Sequence, residues 1–311
     1  VSHIIHINNL LDHRQSQPAA DIAPFLRAVI QKKGGTPRRS SAQSYWPETY
    51  FGLDRLSLWQ DLAPESQQRV LRSLNQILLE ESFYIEKSGM TYTAKMSLLA
   101  ESNDERSLYG MLAADEAVHF QLISSYLLNE PQPYETQPFL VLLDEVVHHG
   151  SFAALIFIAQ VLLEGWGLSH YMSLLKNSQN EELSNLLRMI LNDEAIHHGS
   201  GIVMTQKHPL QGADLEMVKD ILARFFELVR LGPTRVAGTL AQEMGGLSKT
   251  DFTRLFDDIN ADQQIVANLT ELTKLVANHS PDDELTEFLD RNKLNRPVDR
   301  DVFAASMKGL S

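Results

Sequence analysis

The chain has no cysteine. That excludes disulfides, cysteine-held iron–sulfur clusters and thiolate metal sites, so electrons for any redox chemistry come from outside or from a substrate. Positive charge is scarce: 27 Lys and Arg stand against 40 Asp and Glu, for a net charge of −13 and a pI of about 5.3. Such a chain lacks the basic face that grips nucleic acid or an anionic membrane surface, and neither is expected as a partner. Long apolar runs are missing too. The most apolar stretch, residues 152–163, is 12 residues long and contains Gln160. A membrane span needs about 20 residues, so this stretch predicts a buried core helix. Residues 1–11 hold two His and two Asn and no basic n-region, unlike a signal peptide, and a cytoplasmic location is the expectation.

What is present is a helical pattern. Apolar residues make up 43% of 311, enough for a full core. Residues 21–33 read as an amphipathic helix with Phe25, Val29 and Ile30 on its apolar side, followed by a breaker-rich basic loop, residues 33–39. Four long helices follow, over residues 65–101, from Ser102-Asn103 to about 128, over 152–176, and from about 180 to 201. The first and second are joined by a short turn, as are the third and fourth, so each pair predicts an antiparallel hairpin. Residues 129–151, with Pro131, Pro133 and Pro138 and a short helix ending at His149, form a crossover as long as the bundle. More helices occupy 209–311, and no composition shift marks a second domain. The expected organisation is an N-terminal extension (1–64), a bundle (65–208) and a helical extension of the same domain (209–311).

The bundle carries one motif twice: Asp115-Glu116-Ala117-Val118-His119 and Asp193-Glu194-Ala195-Ile196-His197. A Glu and a His three residues apart share a helix face and offer one oxygen and one nitrogen to the same point. Each motif has a partner 30 residues upstream, Glu86 (116 − 86) and Glu164 (194 − 164). In an antiparallel hairpin, residues equidistant from the turn lie at one height. By that measure Glu86 meets Glu116, and the rival Glu81 lies about 7 Å too far along the axis. Glu164 shares a face with Phe157 and Val161, and Glu86 with Leu79 and Phe83. Buried carboxylates gathered without cations are costly, and two divalent ions balance four Glu.

Glu86, Glu116, His119, Glu164, Glu194 and His197 are therefore the expected metal ligands. Four carboxylates and two imidazoles suit iron or manganese. Asp115 and Asp193 are expected to orient the histidines across the bundle. Gly89 and Gly167, each three residues after a site Glu, and Tyr171 are candidates to line a pocket. A third Glu-x-x-His, Glu145 to His148, has no upstream partner in the 30-residue pattern and reads as part of the crossover.

Over residues 65–200 these motifs resemble the ferritin-like superfamily of dinuclear iron carboxylate proteins. The resemblance implies an all-α fold with a long-crossover four-helix bundle. It implies two iron ions, or a manganese–iron pair, bridged by Glu116 and Glu194 with Glu86 and Glu164 terminal. The function it implies is that of an oxidase or oxygenase. Its partners would be dioxygen, a small-molecule substrate and an external electron donor, and a homodimer is compatible with it. The alternative is a metal-binding or oxidative-stress protein without an organic substrate. One departure is informative: where the ribonucleotide reductase type carries a radical tyrosine, this chain has Ile123.

Overall fold

A computed structural model describes residues 22–34, 44–280 and 283–298. Residues 1–11 and the basic loop from residue 35 onward lie outside the described residues. All regular structure among the described residues is helical. The N-terminal helix α1 (Ala23–Lys32) buries Ile30 but leaves Phe25 and Val29 exposed, at 75% and 56%, so its apolar side is narrower than the pattern suggested.

Two hairpins follow. Helix α2 (Pro64–Leu99) starts on Pro64, whose missing N–H costs nothing in a first turn. Helix α3 (Asn103–Ser124) opens on a capping box, in which Ser102 accepts from Glu105 N and the Glu105 carboxylate accepts from Ser102 N. These two helices pack antiparallel along their length. The crossover carries α4 (Pro138–His149), whose last carbonyls are capped from α2. Lys95 Nζ donates to Val147 O, His148 O and Gly150 O at 2.9, 3.0 and 2.8 Å.

The second hairpin is α5 (Phe152–Asn177) and α6 (Glu181–Lys207), with Asn180 capping α6 through Leu183 N. Helix α6 runs six residues beyond its expected end at 201 (207 − 201), because Gly199 and Gly201 do not break it. Helix α5 is long and apolar enough to cross a membrane by length and composition. It packs against α6 and the C-terminal helices. Residues 156–163 of α5 are wound as a π-helix, which the all-round apolar sequence concealed.

The C-terminal helices are α7 (Ala213–Arg230), α8 (Thr234–Met244), α9 (Lys249–Asp258), α10 (Ala261–His279) and α11 (Glu284–Arg291). They share one apolar core with α2 and α5, in which Leu56, Phe157, Phe226 and Leu272 are all buried. A second core holds Phe83, Val118, Tyr171 and Ile190. All four hairpin helices pass between the two cores at their site glutamate. Phe83, Val118, Tyr171 and Leu191 lie on one side of that level, and Tyr92, Leu112, Val161 and Met204 on the other. A polar layer is thereby enclosed between two dry ones.

Candidate metal centre

The six motif residues meet in that layer. Ligand atoms of Glu86, Glu116, His119 and Glu194 all lie within 4.8 Å of one another, and so do those of Glu116, Glu164, Glu194 and His197. The two groups share Glu116 and Glu194. Both histidines turn Nδ1 inward: His119 Nδ1 is 3.1 Å from Glu86 Oε2, and His197 Nδ1 is 3.0 Å from Glu116 Oε1. Glu86, Glu116, Glu194, His119 and His197 are buried, and Glu164 is half-buried.

Glu81 is elsewhere. It forms an ion pair with Arg235 of α8, on a different face of α2 from Glu86. Glu145 makes a two-pronged pair with Arg224 of α7 at 2.8 and 2.7 Å, and His148 sits against Asp144. The third Glu-x-x-His thus fastens the crossover to the C-terminal helices and lies apart from the six.

The layer around the six is built from specific residues. The Tyr171 phenol donates to Glu86 Oε1, and the Tyr92 phenol donates to Glu164 Oε1. Each tyrosine thus crosses from its own hairpin to the upstream glutamate of the other. Tyr92 is the residue the motif search missed. It stands six residues after Glu86, whereas Tyr171 stands seven after Glu164, so no shared spacing pointed to it. Gln160, inside the π stretch and fully buried, donates to His197 O and Ser200 Oγ at 2.9 and 2.8 Å and accepts from Tyr109 at 3.0 Å. A buried amide so fully bonded ties the π stretch to the second motif.

The glycines differ. A Cβ at Gly89 would fall 2.6 Å from Glu116 Cδ, so glycine there admits the carboxylate, whereas a Cβ at Gly167 would meet nothing within 4 Å. Gly167 is therefore not packed against the cluster as Gly89 is. The orienting aspartates differ as well. Asp193 Oδ2 accepts from His119 Nε2 at 3.0 Å, whereas Asp115 Oδ2 is 4.0 Å from His197 Nε2.

Electrostatics follow from this crowding. Burial, then the charges of Glu194 and Glu86, push the Glu116 carboxyl well above its usual range. Burial and Glu194 do the same to Glu164. Burial also acts to raise Glu86, but the His119 hydrogen bond and charge and the Tyr171 phenol bring it below its ordinary value. Burial opposes protonation of both imidazoles. Hydrogen bonds to Asp193 and Glu86 nevertheless hold His119 well above the usual range, and Glu194 and Glu164 hold His197 up to about 9. A buried cluster of this kind calls for positive charge beside the carboxylates, which divalent cations would supply.

The donors fit a pair of such cations. Glu164 Oε2 and His197 Nε2 are inaccessible to solvent and make no hydrogen bond. Buried polar atoms of this kind require a partner, and the mixed oxygen and nitrogen set is one that iron or manganese accepts. Comparison of the chain with family models, curated proteins and solved structures gives no match.

Proposed function

We propose that the protein is a ferritin-like dinuclear metal oxidoreductase, with α2, α3, α5 and α6 as a long-crossover bundle around two iron ions or a manganese–iron pair. Glu116 and Glu194 would serve both metal positions, with Glu86 and His119 completing one and Glu164 and His197 the other. The observation that carries this reading is the pair of overlapping ligand groups that share those two glutamates. When bound, such a metal pair supplies electrons to dioxygen, with an external donor restoring them.

The chain's own residues do the rest. The Tyr92 and Tyr171 phenols each occupy one oxygen of Glu164 and Glu86, leaving the other oxygen for a metal. Asp193 holds the His119 ring with Nδ1 inward. The apolar cores on either side shield Glu86, Glu116, His119, Glu194 and His197 from water. A small organic molecule is the proposed substrate, and the ligand set calls for no separate general base.

A second reading, metal or peroxide handling without an organic substrate, has its own support. The apolar cavity behind the π stretch, of about 10 Å³ and lined by Phe139, Leu142, Ile158 and Phe225 among others, contains none of the six residues. The surface groove at Tyr134, Asp144 and His148 contains none either.

The test is anaerobic reconstitution with Fe(II), metal analysis and single-turnover dioxygen uptake. Two metals per chain and one dioxygen consumed per metal pair are expected. Fewer than one metal per chain sinks the proposal. Continued Fe(II) oxidation with ferric product accumulating beyond two per chain favours the second reading.

A further inference from the structure

Asp115 and Asp193 are the same letter of the two motifs, 78 positions apart (193 − 115), and each turns an oxygen toward Nε2 of the other motif's histidine. Only one contact closes. Asp193 reaches His119 at 3.0 Å, and Asp115 stops 4.0 Å short of His197. The difference lies at the far oxygen of Asp115. Its Oδ1 accepts from Lys33 Nζ, on the residue that follows α1, at 2.6 Å. No lysine or arginine among the described residues forms such a pair with Asp193. His197 Nε2 is left buried without a hydrogen-bond partner.

We infer that Lys33 is a positioning residue for the candidate metal centre: by holding Asp115 away from His197, it makes the two metal positions unequal. The inference rests on the two-metal reading above. A histidine bound to metal through Nδ1 is a better ligand when Nε2–H donates to a carboxylate, because the bond fixes the ring and raises its basicity. His119 has that support and His197 does not. The position built on Glu164 and His197 is therefore the weaker and the last to fill. The Lys33–Asp115 pair is about one-third exposed on each side, and such pairs are weak. The ion pair and the ring thus compete for one carboxylate, and α1 acquires control over one metal position without touching it.

The experiment uses the full chain and Mn(II) alone. Crystals of wild type and of Lys33→Met, which keeps the aliphatic stem, are soaked at limiting Mn(II). Anomalous peaks then give the occupancy ratio of the two positions, and calorimetry gives the two affinities. Wild type is expected to bind about tenfold more weakly at Glu164/His197 than at Glu86/His119, within the range such orienting partners command. Lys33→Met is expected to shrink the gap to about threefold or less, with Asp115 closing to about 3 Å from His197. Loss of a nearby cation raises affinity at both positions alike, so the ratio is the readout. Lys33→Met/Asp115→Asn should restore the tenfold gap. Equal affinities in wild type, or an unchanged ratio in Lys33→Met, overturn the inference while leaving the two-metal reading intact. A wild-type chain that binds no Mn(II) overturns both.

Discussion

The two halves of the centre carry nearly the same letters, Asp-Glu-Ala-Val-His and Asp-Glu-Ala-Ile-His, with a glutamate 30 residues before each. Their surroundings diverge. The first upstream glutamate rides on an unbroken α-helix, and the second follows a π stretch anchored by Gln160. Gly89 is pressed against Glu116, while its counterpart Gly167 faces open space. Asp193 supports a histidine, and Asp115 answers to Lys33. A repeated motif therefore supplies equivalent donor atoms, and the elements packed around it decide how alike the two positions are.

The comparison breaks most completely at the shared carboxylates. Glu116→Gln and Glu194→Gln should each abolish binding at both positions, because each residue belongs to both ligand groups. Glu86→Gln or Glu164→Gln should leave one metal of the two. Metal analysis after reconstitution separates these outcomes, with circular dichroism to show that the variants fold. If all four variants bind the same amount of metal, the sharing is not real.

The glycines come next. Gly89→Ala forces a methyl against Glu116 and should destabilise the chain by about 1–3 kcal/mol, as overpacking does. Gly167→Ala should stabilise it, by up to about 1 kcal/mol, because alanine is the better helix former and the space is open. Urea denaturation measures both, and effects of equal sign would contradict the asymmetry.

The tyrosines cross the halves. Tyr92→Phe should weaken the position built on Glu164 and His197, and Tyr171→Phe the one built on Glu86 and His119, each by about tenfold. Position-resolved Mn(II) titration checks the crossing; weakening within the same hairpin would refute it.

The smallest effect lies outside the centre. Glu105, at the start of α3, is pulled from its ordinary 4.5 to about 2, chiefly by Lys207, with His208 and the Ser102 backbone assisting. A carboxylate whose value is lowered on folding stabilises the fold above its unfolded value and loses that contribution as pH falls. Here the loss runs between pH 4.5 and about 2. Glu105→Gln should cost about 1 kcal/mol at neutral pH and flatten that acid limb in denaturation curves, since an exposed-partner ion pair is worth little more. An acid limb identical to wild type would contradict the assignment.

How much of this was readable from the letters differs from residue to residue. Helical periodicity and the two short turns place the hairpins, and counting from the turns sets Glu86 rather than Glu81 level with Glu116. These are local rules of rise and rotation. The π stretch was not readable, because residues 156–163 are apolar around the whole helix apart from Gln160, and periodicity vanishes when every face is buried. Tyr92 was not legible, because it stands six residues after Glu86 where Tyr171 stands seven after Glu164. Lys33 was not legible at all. It lies 82 residues from Asp115, and no spacing rule connects them. Phe25 and Val29 misled because a helical pattern states which residues share a face and not whether another element covers it.

Two metal positions are proposed to share Glu116 and Glu194. Anomalous diffraction at the iron and manganese edges, on crystals of the reconstituted full chain, tests that sharing most directly. Two peaks are expected, one among Glu86, Glu116, His119 and Glu194 and the other among Glu116, Glu164, Glu194 and His197. No peak in that layer, or metal only at the surface groove of Asp144 and His148, would contradict it.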